Sequence, residues 1–102
     1  MTTVQTTMQT ATRETVIMNK LGLHARPAMQ FVDVANQFKS SVRVTAFKKK
    51  QQQEADGKSV MQMIILAAEK GTRLRITAEG DDAREAVDRL ASLVESKFGE
   101  ED

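Results

Sequence analysis

The stretch SVRVTAF, residues 41–47, decides the fold. In an extended chain Val42, Val44 and Ala46 fall on one side, Arg43 and Thr45 on the other. Strict alternation of this kind marks a strand with one dry face and one wet face. A second stretch, RLRITA at residues 73–78, repeats the pattern with Leu74, Ile76 and Ala78 on the dry side. Strands that are polar at every second residue cannot be covered on both faces. They belong in an antiparallel sheet with one face packed and one exposed.

Working outward from residue 41, the period changes. Ala28, Phe31, Val32, Ala35 and Phe38 recur at spacings of three and four, which predicts a helix. Ahead of it, Thr15–Met18 is short, apolar and partly β-branched, a strand, and Asn19 to Gly22 turns. After it comes KKKQQQEADGK, apolar only at Ala55. This is a hairpin loop around Lys48–Gln53, with Gln53–Asp56 as a weak return strand. Ser59-Val60-Met61-Gln62 matches a capping box and opens a helix through Met63, Ile64, Leu66 and Ala67 that Gly71 is placed to stop. Asp82 to Glu85 is a second cap-like start, with acids at the positive end of a helix. Ala83, Ala86, Val87, Leu90, Val94 and Phe98 then form one apolar stripe that Gly99 ends. The predicted order is β-α-β-β-α-β-α. Its simplest packing is an α+β two-layer structure, one antiparallel sheet with helices on one side.

Composition narrows the function. The chain has 102 residues, enough for one domain, and a net charge of +1 with acids and bases interspersed. Four Phe without Trp or Tyr give little stacking capacity, and Lys48–Lys50 has no aromatic residue interleaved, only Phe47 before it. We read those lysines as a solvated loop and expect no nucleic-acid partner. There is no cysteine, which fits a reducing compartment and leaves no thiolate metal site. The longest apolar run, Met63 to Ala68, is too short to insert across a membrane. No basic segment followed by an apolar one marks a secretory signal, so a cytoplasmic location is expected. Residues 1–12 are rich in Thr and Gln and free of charged side chains, and read as a flexible tail. The domain spans 13–99, and 100–102 form an acidic, frayed end.

The only histidine, His24, stands in LGLHARPA, residues 21–28. Pro27 suits a helix only in its first turn, so the helix starts near Ala25 with His24 at or near the N-cap. Arg26, preceding proline, is biased away from helical angles and predicts an irregular first turn. Free amides at a helix start attract anions, and Arg26 adds a planar cation matched to phosphate oxygens. An imidazole there is a competent nucleophile for a phosphoryl group. The competing reading is a polar helix cap. A metal site is poorly supported, since no acid at ligand spacing precedes Asp33.

Gly22-Leu23-His24-Ala25-Arg26-Pro27-Ala28 resembles the active-site signature of the HPr family, the histidine phosphocarriers of the bacterial phosphoenolpyruvate-dependent phosphotransferase system. The likeness covers residues 13 to 98. It implies an open-faced β-sandwich of four antiparallel strands and three helices. It further implies that His24 takes a phosphoryl group on Nδ1 from enzyme I and passes it to an enzyme II A-type component. Arg26 and the backbone of Ala25 and Arg26 would steady the phosphate, with no cofactor or metal. Ser59 matches a serine that HPr kinase/phosphorylase modifies in many members, while the capping box explains the same residue structurally. Val60, Met61 and Ile64 match the family's apolar docking patch, which leaves Met63, Leu66 and Ala67 facing the core. The hairpin near Lys48 is longer than is usual in the family. Asn19-Lys20-Leu21 resembles the regulatory NPr branch, whereas Lys58–Met61 resembles the kinase-regulated sugar branch. A purely regulatory protein on this fold, without flux through His24, is the second reading. A small carrier with several partners is most simply a monomer.

Overall fold

Val42, Val44 and Ala46 lie opposite Ala78, Ile76 and Leu74, and all six side chains are buried. The two alternating stretches are therefore neighbours in one antiparallel ladder. The computed structural model describes residues 9–100. Its elements are β1 (Thr10–Val16), α1 (Ala25–Ala35), β2 (Ser41–Phe47), β3 (Gln52–Asp56), α2 (Val60–Leu66), β4 (Arg73–Glu79) and α3 (Ala83–Glu95), followed by a 3-10 turn at Lys97–Gly99. The sheet order is β1-β4-β2-β3, antiparallel throughout. Each of the first two helices links strands that have another strand between them, giving two interleaved βαβ units. This is the open-faced arrangement expected.

The helices cover one face only. Phe31 of α1, Met63 of α2, and Val87, Leu90 and Val94 of α3 meet Val44, Leu74 and Ile76 of the sheet in one core. Burying each large side chain contributes roughly 1.5–3 kcal/mol. The other face stays wet. There Glu14 accepts from Arg73 and Arg75, Arg43 bonds Glu54, and the Arg73 and Arg75 guanidinium groups lie 4.3 and 4.9 Å from the Phe47 ring centre. Exposed pairs of this kind stabilise little individually. They give the uncovered strands a polar surface that does not invite a second sheet.

Several boundaries differ from the sequence reading. Thr10–Thr12, assigned to the tail, are strand residues paired with Glu79, Ala78 and Thr77; residues 1–8 lie outside the described residues. Gln52 and Gln53 belong to β3, so the hairpin loop contracts to Lys48–Gln51, closed by the Lys48 amide on the Gln51 carbonyl at 3.0 Å. α2 stops at Leu66, not at Gly71, because Ala67 adopts left-handed angles. The rotation exposes Ala67, expected in the core, and buries Ala68 in its place. The capping box is half formed. The Ser59 hydroxyl accepts from the Gln62 amide, but the Gln62 side chain accepts from the Asp56 amide. α3 ends at Glu95, and Phe98 reaches the core from the 3-10 turn beyond it. No helix among the described residues is long and apolar enough to cross a membrane.

Asp82 also departs from expectation. Its side chain does not cap α3. It accepts instead from the Ser40 hydroxyl and from the amides of Ser40 and Lys39, at 3.0 and 2.9 Å for the amides, and so ties the α1–β2 connection to the start of α3. Those donors, the Ser40 hydroxyl foremost, hold the Asp82 carboxyl down at about 2. A depressed pKa stabilises the fold above the ordinary carboxylate range, and that stabilisation disappears as pH falls from about 4 through about 2. Denaturant midpoints measured across this window should fall less steeply for Asp82→Asn than for the wild type. A second constraint sits in the β1–α1 loop. Gly22 has φ +68°, and a Cβ there would lie 2.5 Å from the Ala68 carbonyl oxygen. Gly22→Ala should cost at least about 1 kcal/mol in equilibrium unfolding.

Candidate functional site

His24 is the N-cap residue of α1, in extended backbone at φ −81° and ψ −172°. The first turn closes regularly despite the proline, since the Ala28 amide donates to the His24 carbonyl at 3.0 Å. Pro27 lies inside that turn, where its missing N–H costs nothing. The His24 side chain makes no capping hydrogen bond. The cap reading of this residue is thus set aside. The ring turns the other way, and its Nε2 lies 2.7 Å from a Glu100 carboxylate oxygen. Nδ1 has no hydrogen-bond partner among the described residues. With 34% of its side chain exposed, the ring is accessible from solvent.

The start of α1 supplies donors beside the ring. No described group accepts from the amides of Ala25 or Arg26, as expected for the first residues of a helix. The Arg26 side chain is exposed and has no ion-pair partner among the described residues. Lys20, Leu21 and Gln30 complete the rim of a shallow open depression around His24 and Arg26. Two amides, a planar cation and the positive end of a helix favour a small tetrahedral anion next to an imidazole. Among the described residues no group of three His, Asp or Glu side chains could hold a metal.

Glu100 is the correction at this site. The sequence predicts an acidic end frayed from residue 100, yet Glu100 is held and only 19% of its side chain is exposed. Lys97, Phe98 and Gly99 are all left-handed, at φ 59°, 56° and 74°, and reverse the chain after α3. Phe98 enters the core and anchors this bend, which delivers Glu100 to His24. Fully buried Asn19 completes the network. Its Nδ2 donates to the Gly22 carbonyl at 2.7 Å and to the second Glu100 oxygen at 2.9 Å. The sequence signal nearest to it is Phe98, which continues the core stripe, but the left-handed turn that carries Glu100 back has no local signature at Lys97 or Phe98. Asn19 looked like an ordinary turn residue. Glu101 and Asp102 lie outside the described residues.

The remaining candidates sit apart from the ring. Ser59 caps α2, partly exposed. Met61 and Ile64 are exposed on that helix, while Val60 is half-buried against the core. Ile65, which the sequence reading did not select, is as exposed as Met61. Met63 and Leu66 face inward as expected. The His24 loop and α2 are joined through the Leu23 amide, which donates to the Ala68 carbonyl at 2.8 Å.

Comparison with known proteins places this geometry. The PTS-HPr family model, described as the PTS HPr component phosphorylation site, matches residues 11–96. The phosphocarrier protein HPr of Neisseria meningitidis is 45% identical over 84 residues, 82% of this chain and 90% of that protein. The phosphocarrier protein NPr of Proteus mirabilis is 40% identical, over 87% of this chain and 96% of that one. A crystal structure of HPr-C-His from Thermoanaerobacter tengcongensis superposes with a TM-score of 0.76 at 42% identity, covering 89% of this chain and 98% of that one. The matched region contains His24, Arg26 and Ser59. With the strand order, the helix start and the family match in agreement, the chain belongs to the HPr family of phosphocarriers of the phosphotransferase system.

Proposed function

We propose that His24 accepts a phosphoryl group from phospho-enzyme I on Nδ1 and passes it to an enzyme II A-type component of a sugar-uptake relay. One observation carries this reading. The imidazole stands at the start of α1, and among the described residues its Nδ1, the Arg26 guanidinium and the amides of Ala25 and Arg26 have no partner. In the step, the Nδ1 electron pair attacks phosphorus while the bond from phosphorus to the donor breaks. Arg26 and the amides of Ala25 and Arg26 hold the phosphoryl oxygens as charge shifts toward them. The exposed apolar residues Met61 and Ile64, with half-buried Val60, form the surface against which partners dock. We place the carrier in the cytoplasm as a monomer, in keeping with a chain that has no cysteine and must meet several partners in turn.

A second reading assigns the chain to regulation, either on an NPr-like branch or through Ser59 modified by HPr kinase/phosphorylase. Its specific support is the position of Ser59, which directly precedes the exposed residues of α2. A phosphate there would add about two negative charges beside the docking surface. The two readings are compatible in one protein.

The purified chain, incubated with phosphoenolpyruvate, magnesium and a cognate enzyme I, should gain the mass of one acid-labile phosphoryl group. His24→Ala should gain none while keeping its fold. Arg26→Ala should still be phosphorylated, but roughly tenfold more slowly in single-turnover kinetics. No gain by the wild type would remove the carrier reading in favour of the regulatory one. Ser59→Asp should weaken enzyme I docking several-fold in a binding titration, and an unchanged affinity would count against control through this residue.

A further inference from the structure

We propose that Glu100 is a positioning residue that lets the relay run without moving a proton, an inference that rests on His24 being the phosphoryl acceptor. The family match ends at residue 96, so this carboxylate lies beyond the matched region. It is held from two sides. One oxygen meets His24 Nε2 at 2.7 Å, and the other accepts from the amide nitrogen of buried Asn19 at 2.9 Å. The backbone that carries it passes through two left-handed residues that are not glycine, Lys97 and Phe98. Such angles persist only where the surroundings impose them, and here the buried Phe98 ring does so.

The chemistry follows from hydrogen-bonding capacity. An ionised carboxylate accepts and cannot donate, so the Nε2 bonded to it carries the ring proton. In the neutral ring the electron pair then resides on Nδ1, which has no partner among the described residues. When that pair attacks phosphorus, the bond from phosphorus to the donor breaks and its electrons leave with the donor. Nε2 keeps its proton, and the positive charge acquired by the ring faces the Glu100 carboxylate. When the group moves on, the P–Nδ1 bond breaks and its pair returns to Nδ1. Nε2 is protonated throughout, so the leaving ring is neutral imidazole and not an imidazolate anion. Glu100 thereby selects the attacking nitrogen and keeps the phosphorylated ring a good leaving group. Among the described residues Lys20 and Arg26 also line the depression, and the Arg26 guanidinium is the group suited to the phosphoryl oxygens.

The full chain labelled with nitrogen-15 in histidine tests this directly. At a pH where the ring is neutral, wild-type spectra should show a single tautomer protonated at Nε2, with slow exchange of that proton. Glu100→Ala should show both tautomers and fast exchange, with backbone spectra otherwise unchanged. Single-turnover phosphorylation by phospho-enzyme I, and transfer onward, should both slow about tenfold in Glu100→Ala. Glu100→Gln keeps an acceptor oxygen without the charge. It should restore the single tautomer but not the rates. An unaltered tautomer in Glu100→Ala, or rates within about twofold of wild type, would overturn the proposal while leaving His24 the acceptor. A wild-type chain that takes no phosphoryl group would overturn both readings.

Discussion

Only one face of the sheet is covered, and that constraint organises the molecule. β2 and β4 each carry three apolar side chains on one side and, Phe47 apart, polar ones on the other, and they lie in register so that all six share the dry face. Once this pair forms, β1 and β3 can join only at the outer edges. The helices must then cross the same side, because the other side presents Glu14, Arg43, Arg73 and Arg75. Two crossings over an intervening strand follow. Each leaves loops at the ends of the sheet, where backbone groups are unpaired and chemistry is available.

The candidate site lies where three such loops converge. The β1–α1 loop, the α2–β4 connection and the turn after α3 are fastened by few but specific contacts. Leu23 bonds Ala68, Gly71 bonds Ile17, and Asn19 bonds both Gly22 and Glu100. Gly22 permits the closest of these approaches. The ring of His24 therefore rests on a frame whose parts come from both ends of the chain. A similar fastening reaches α2 from elsewhere, since Lys48 donates to the Leu66 carbonyl at the end of that helix. The cationic hairpin and the exposed residues of α2 are thus mechanically linked.

What the sequence made legible was whatever depends on period and on local bonding. The alternation of β2 and β4, the stripes of α1 and α3, the Ser59 cap and the helix start at Ala25 all have local causes. What it concealed depends on distant partners. Thr10–Thr12 has no apolar residue but Ala11, so its strand character comes from backbone pairing with β4. Ala67 ends α2 in a conformation usually left to glycine, and nothing about an alanine announces that. Asp82 has the residue type of a cap, yet stronger donors on another segment claim it. Of the site, His24, Arg26 and the amides of α1 were readable. Glu100 and Asn19 were not, because their roles exist only once the turn after α3 folds back on residues 19–24.

A carboxylate beside the proposed phosphoryl acceptor is at first sight misplaced, since like charges repel. The arrangement resolves this by order. Glu100 is bonded at Nε2, and Nδ1 has no partner among the described residues. With phosphorus on Nδ1 the sequence of charges across the site is negative, positive, negative, and the cation is the ring itself. Each attraction then acts between neighbours, while the repulsion acts across the width of an imidazole, where solvent and Arg26 screen it further. Before phosphorylation the ring can be neutral, and the carboxylate needs only the Nε2 proton and the Asn19 amide to be satisfied. On the proposed mechanism the same two hydrogen bonds serve both states.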